Sequence, residues 1–288
     1  MWLAQLNHRI RARLFRAKYR SSTSYPYLSG DAFASLADLV IDSELLREPK
    51  NLMQEIKAKR IVFCPSHLLE DLISLTEKGP EVKILIVGNG DKNFHSLSPL
   101  IYKFATYSFI QNSFISDNLR IFTLPIGLEN KRLGVNGMIR FNPSPVKNAQ
   151  SSILVGPFSP TSESRKELSK EAFAGFQEFD VFEQRINLKP YSRALHSHKY
   201  VLCPEGNGVD THRLWETIYA GAIPLVPRNS WSNSLIDLGF PVIQLDSWAP
   251  QNILKEIKKN EFVVFEPEKI QQLWMPHWEK KFKKLLGN

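Results

Sequence analysis

The 288-residue chain is poor in cysteine and methionine and has no long apolar run. Two cysteines, Cys64 and Cys203, cannot build a disulfide framework, which excludes a small stapled secreted domain. No window approaches the roughly 18 uninterrupted apolar residues of a membrane-spanning helix. The first 20 residues lack the apolar core, about 7–15 residues long, of a secretory signal. Asp-x-Asp, a common carboxylate pair for holding a divalent cation, is absent from the chain. The close histidine pair His196 and His198 has no carboxylate or cysteine set at ligand spacing, so neither a metal nor another cofactor is expected. Internal repeats and low-complexity tracts are missing as well.

An excess of acid is also missing, and the location of the surplus base matters more than its size. The formal net charge is +8, with 37 Lys and Arg against 29 Asp and Glu. Residues 1–20 carry six basic side chains and no acid, and residues 280–288 carry four. Removing six and four from the total leaves −2 for the body of the chain. A near-neutral body gives no electrostatic footprint for nucleic acid, and no nucleic-acid partner is expected. Trp2, Leu3, Leu6, Ile10 and Leu14 recur at helical spacing between the arginines of the N-terminus. That pattern is a basic amphipathic helix, which suits either an anionic membrane surface or packing on the core. The expectation is a cytoplasmic protein in peripheral contact with the inner membrane face through residues 1–20 and 280–284.

What is present is a full globular composition. Hydrophobic residues make up 43% of the chain and aromatics 11%, enough to exclude disorder and to fill one large or two medium cores. Short Ile-, Val- and Phe-rich runs read as strands: Ile61–Cys64, Val82–Val87, Ser108–Ile110, Ile121–Leu124, Ile153–Val155, Tyr200–Cys203, Ile223–Val226 and Pro241–Gln244. Their apolarity is continuous, as in parallel strands covered on both faces. Helical stretches alternate with them at Leu68–Lys78, Ser164–Phe176, His212–Ala220, Ile253–Lys259 and Pro267–Leu286. Such alternation predicts an α/β fold with crossover helices. The Pro- and Ser-containing stretch Asn136–Gln150 predicts an interdomain connection. The expected division is 1–145, 146–266 and a final helix 267–288.

The segment Lys199–Val226 carries the chemistry. A buried strand ends at Cys203, followed by the loop Glu205-Gly-Asn-Gly208, with Gly206 and Gly208 allowing close backbone approach on either side of Asn207. Asp210 or Thr211 then caps a helix that begins at His212 and ends before Gly221. A helix start offers unpaired N–H groups that favour phosphate. Arg213 in the first turn is unfavourable for the helix dipole unless an anion sits there. Glu216 lies one turn on, on the same face, and could accept hydrogen bonds from a diol such as ribose. The plainer alternative is an Arg213–Glu216 surface pair. Arg165, at the start of a helix after a Ser/Thr-rich loop, is a second guanidinium suited to a diphosphate.

The loop Cys203-Pro-Glu-Gly-Asn-Gly208, with Arg213, Glu216 and Tyr219-Ala-Gly-Ala-Ile-Pro-Leu-Val226 after it, resembles the donor-binding segment of exostosin-like glycosyltransferases. Leu124–Asn130 and Val155–Arg165 are similar, more weakly, to the interdomain and first donor-domain loops of related enzymes. The resemblance implies a GT-B fold, two Rossmann-like domains facing each other across a cleft. It implies transfer of a sugar from a nucleotide-sugar donor to a glycan or lipid-linked glycan acceptor, with the nucleotide on the C-terminal domain. Without a metal, leaving-group charge would fall to Arg213, Arg165 and helix amides. An inverting transfer also needs a general base. Asp91 after the strand Val82–Val87, His67 after Ile61–Cys64, and Glu129 in Gly-Leu-Glu-Asn are the three candidates. A non-catalytic nucleotide- or glycan-binding module that keeps the donor segment is the alternative.

Overall fold

A computed structural model describes residues 24–76, 82–92, 98–114, 119–133, 150–159, 161–184, 186–260 and 262–287. The basic stretch 1–20 and the expected connection 136–149 lie outside the described residues. Two compact units are formed, Met1–Val135 together with Trp274–Asn288, and Asn136–Leu273. Each contains a five-stranded, all-parallel sheet. The fold class is therefore α/β with two Rossmann-like units, the composition of a GT-B chain.

In the first unit the strands are β1 (Leu39–Val40), β2 (Ile61–Pro65), β3 (Val82–Gly88), β4 (Ala105–Ile110) and β5 (Ile121–Thr123), in the spatial order 1-2-3-4-5. Between them run the helices α2 (Ser43–Leu46), α3 (Pro49–Lys57), α4 (Leu69–Leu75) and α5 (Ser98–Phe104), and α1 (Gly30–Ala34) precedes β1. Right-handed crossovers in a sequential sheet all fall on the same face. Accordingly Leu52 and Ile56 of α3, Leu69 and Leu72 of α4, and Ile101 of α5 pack with Val62, Leu85, Val87 and Ile110 in one core. Alternate residues point to the opposite face. There Phe109 and Phe122 stack at 4.9 Å, and Phe282 and Trp278 of the C-terminal helix Met275–Leu285 approach Phe109 at 4.7 and 6.3 Å. Phe33 of α1 meets Trp278 edge-on at 5.6 Å. The C-terminal helix thus supplies the layer that the crossovers leave out.

This helix is shorter than the stretch Pro267–Leu286 suggests. Two 3₁₀ turns, Pro267–Lys269 and Gln271–Leu273, come first, and the α-helix begins at Met275 with Pro276 in its first turn. Proline is tolerated there and not in a helix interior, which fixes the start. Of the lysines expected at a membrane surface, Lys280, Lys283 and Lys284 are exposed. Lys281 instead lies over the faces of Phe122, Phe109 and Trp278, at 4.8, 5.3 and 5.3 Å, where burial pulls its ammonium below its ordinary pKa. No described helix is long and apolar enough to cross a membrane.

The second unit has β6 (Gln150–Val155), β7 (Phe179–Val181), β8 (His198–Leu202), β9 (Ile223–Pro227) and β10 (Ile243–Leu245), in the order β10-β9-β8-β6-β7. Its helices are α6 (Glu163–Glu167), α7 (Leu188–Ser197), α8 (His212–Tyr219), α9 (Ser230–Asp237) and α10 (Pro250–Lys259). The strand order reverses between β6 and β8, so the chain leaves these two neighbours in opposite directions. Ligands of open α/β sheets collect outside the carboxyl ends of strands at such a switch point. The first sheet, in sequence order, has no such reversal among its described strands.

Candidate functional site

The segments that leave β6 and β8 carry the arginines singled out in the sequence. After β8, Glu205–Gly208 forms a tight loop in which the Gly206 N–H donates to the Gly208 carbonyl at 3.0 Å. Helix α8 follows, with Thr211 as its N-cap residue. It ends in a Schellman motif: Gly221 at φ +80° donates to the Ile218 carbonyl, and Ala222 to that of Thr217. The helix is buried from Leu214 through Tyr219, Glu216 included.

Arg213 reaches from α8 to the loop after β6. Its Nη1 donates to the Gly156 carbonyl at 2.9 Å and its Nη2 to the Pro157 carbonyl at 2.5 Å. The guanidinium lies over the rings of Phe158 at 4.7 Å and Tyr191 at 5.1 Å. Arg165 comes from α6 to the other side of the same arrangement, 5.8 Å from the centroid of Phe158. Its Nη1 donates to Thr161 Oγ1 at 3.2 Å and, at 3.4 Å, to the Ser159 carbonyl. Its Nε is buried with no hydrogen-bond partner. Burial, then the neighbouring Arg213, pull the Arg165 guanidinium below its ordinary pKa. Gly206 is small for a local reason: a Cβ there would lie 2.9 Å from Arg165 Nη2.

Two guanidiniums around one phenylalanine ring form a cationic patch that repels itself. Cation–π attraction and backbone carbonyls hold it together. A di-anion is the ligand whose charge offsets that repulsion, and planar guanidinium forks match phosphate oxygens bidentately.

Acidic groups frame the patch. Glu205 accepts from Ser164 Oγ at 2.9 Å through its carboxylate, and from Ser162 Oγ at 2.8 Å through its carbonyl. This ties the β8 loop to the start of α6. Glu216 accepts from the Tyr191 hydroxyl at 2.9 Å. Burial raises the Tyr191 phenol well above its ordinary pKa, so it stays protonated and keeps donating. Asp210 faces the core: it is 2% exposed and accepts from Trp215 Nε1 at 2.7 Å. That bond anchors the entry to α8. Asn207 is exposed at the loop tip, and Gly208, Thr211 and His212 are half-buried along the path into the helix.

The structure brings Arg165, Glu205, Gly206, Arg213 and Glu216 into one connected constellation. Phe158, Tyr191, Ser162 and Ser164 also belong to it and escape sequence reading. None of the four is singled out in the sequence, where Ser164 is the first residue of the helical stretch Ser164–Phe176. The signal that could have found them is the switch-point topology, which fixes which loops converge.

The base candidates all belong to the first unit, at the carboxyl side of its sheet. Asp91 is exposed three residues after β3, and His67 is exposed in the 3₁₀ turn Ser66–Leu68 after β2. Glu129 is half-buried on the segment leaving β5. Among the described residues no group of three His, Cys, Asp or Glu side chains gathers to hold a metal ion.

Both thiols are buried. Burial pushes the Cys203 thiol up to about 12, with its Sγ 3.6 Å from Thr217 Oγ1, and raises that of Cys64 further. A thiol reacts as its thiolate, so neither is a nucleophile at neutral pH. A thiol-specific disulfide reagent at pH 8 should therefore titrate no cysteine in the native protein and two in denaturant.

No protein-family model matches the chain. Among solved structures, it is similar to an alpha-glucosyltransferase in complex with UDP and a 13-mer DNA containing a central A:G mismatch. The TM-score is 0.39 at 10% sequence identity, over 86% of this chain and 87% of that one.

Proposed function

We propose that the chain is a glycosyltransferase that takes a sugar from a nucleotide-sugar and passes it to a glycan or lipid-linked glycan hydroxyl, without a metal and with inversion. The observation that carries this reading is the pair Arg165 and Arg213 around Phe158 at the switch point of the second sheet, with a buried, unpartnered Arg165 Nε. The resemblance of Cys203–Val226 to the exostosin-like donor segment supports it.

In this reading the diphosphate lies against the two guanidiniums, which stabilise the negative charge that grows as the nucleotide leaves. The Glu216 carboxylate, fixed by Tyr191, accepts from the ribose hydroxyls. Asp91 takes the proton of the acceptor hydroxyl as that oxygen bonds to the anomeric carbon and the bond to the diphosphate breaks. Residues 1–20, with the exposed Lys280, Lys283 and Lys284, bring the chain to an anionic membrane surface where a lipid-linked acceptor would reside.

A thermal-shift panel of UDP-, GDP-, dTDP- and CMP-sugars tests the assignment. A donor that binds the folded state alone stabilises it by about 2.7 kcal/mol at a hundred times its Kd. At least one diphosphate sugar should raise Tm by several degrees. A flat panel across all of them contradicts the proposal.

A further inference from the structure

At the carboxyl end of the first sheet, one asparagine side chain ties together three distant segments. Asn89 Nδ2 donates to Asp31 Oδ1 at 3.2 Å, and Asn89 Oδ1 accepts from Asn130 Nδ2 at 2.9 Å. The Asp31 N–H closes the ring by donating to Asn130 Oδ1 at 2.7 Å. Arg132 Nε donates to Asp31 Oδ2 at 2.7 Å. From the end of β4, Gln111 Oε1 accepts the Asn89 N–H at 2.9 Å, and Asn112 Nδ2 donates to the Gly90 carbonyl at 3.0 Å.

Every one of these groups bears on the turn that carries Asp91. Asn89 sits at φ +56°, a left-handed conformation that asparagine tolerates better than most residues. The Asp31 carboxylate is fully buried, and a buried charge persists only where it is paired and hydrogen-bonded. Gly30 makes room for the bridge, since a Cβ there would stand 1.7 Å from Asn89 Oδ1. One capping bond suffices to end a strand in a turn. This turn is instead gripped through its amide, its side chain and its next carbonyl, by groups from α1, the end of β4 and the segment after β5.

We infer that Asp31, Asn89, Asn130 and Gln111 are positioning residues that hold the turn Gly88–Asp91 in one conformation and so fix where the Asp91 carboxylate meets the acceptor hydroxyl. This rests on the transferase reading and deepens it. The proton passes from the acceptor oxygen to Asp91 as the oxygen attacks the anomeric carbon and the nucleoside diphosphate departs with the bonding electrons. A carboxylate displaced by about 1 Å loses much of its rate advantage while the donor site stays intact.

Two substitutions separate positioning from folding. Asn89→Gly keeps the left-handed turn and the amide bond to Gln111 but deletes both side-chain bridges. Gly30→Ala leaves the turn's own sequence untouched and pushes the Asn89 side chain away. With the donor found in the panel, nucleotide release should show kcat at least tenfold lower in both variants, and KM for the donor within twofold of wild type. Unchanged kcat in Asn89→Gly overturns the inference, and so does a rate loss matched by a rise in donor KM. If wild type releases nucleotide from no donor, the transferase reading fails separately. Hydrogen exchange of the Asn89 amide then decides: at least tenfold faster exchange in Gly30→Ala supports the grip on the turn, and equal protection overturns it.

Discussion

Replacing Arg213 by alanine is expected to weaken nucleotide-sugar binding by about a hundredfold or more, because hydrogen bonds to charged groups contribute about 1.5–3 kcal/mol each. Arginine has five N–H donors, and Arg213 directs one from each Nη to the carbonyls of Gly156 and Pro157. Its remaining donors can meet phosphate while the loop stays tethered. Arg213→Ala removes both functions at once, losing the charge and releasing the loop after β6 that carries Phe158. Arg213→Lys separates them: the charge stays, but a lysine is a point donor and cannot clamp two carbonyls. Calorimetry should place the lysine variant between wild type and alanine. Wild-type affinity in Arg213→Ala would remove the arginine from the site. Arg213→Ala should change Tm little in the absence of ligand, since losing the bonds to the loop is offset by relief of the repulsion with Arg165.

Trp278→Ala is expected to be the most damaging single truncation, at about 3–5 kcal/mol. Trp278 is fully buried and stands edge-on to both Phe33 and Phe109. The cost follows from the topology. A sequential parallel sheet sends its crossover helices to one face, so α1 and the C-terminal helix cover the other. Removing the indole opens a void between those two helices and strips a ring from above the Lys281 ammonium. The variant's denaturation midpoint should fall with little change in slope. A loss under about 1 kcal/mol would mean that the C-terminal helix is not needed to seal that face.

Much of the architecture is legible in the sequence because a parallel strand buried on both faces has a continuous apolar run. All eight runs read as strands contain strand residues in the structure. The two that escape, Leu39–Val40 and Phe179–Val181, are edge strands of two and three residues, too short for periodicity. Helix lengths are less legible. Ser164–Phe176 breaks after Glu167, where Leu168 leaves helical geometry at ψ +51° and buries its side chain. At the site, Arg165, Arg213 and Glu216 stand out because charges at helix starts and on buried faces break local rules. Asp210, an acid before a helix that reads as a cap or ligand, accepts from the Trp215 indole five residues away, a contact that no local pattern announces. The Asn89 network is invisible in sequence, since Asp31, Asn89 and Asn130 come together only through the sheet.

A diphosphate site formed by the second unit's two arginines must distinguish a diphosphate from a monophosphate. The most direct test is calorimetric titration of wild type, Arg165→Ala and Arg213→Ala with UDP and GDP, each beside its monophosphate. Wild type should bind at least one diphosphate at least tenfold more tightly than its monophosphate. Each substitution should erase that difference. Equal binding of mono- and diphosphate by wild type, or a diphosphate preference that survives both substitutions, would contradict it.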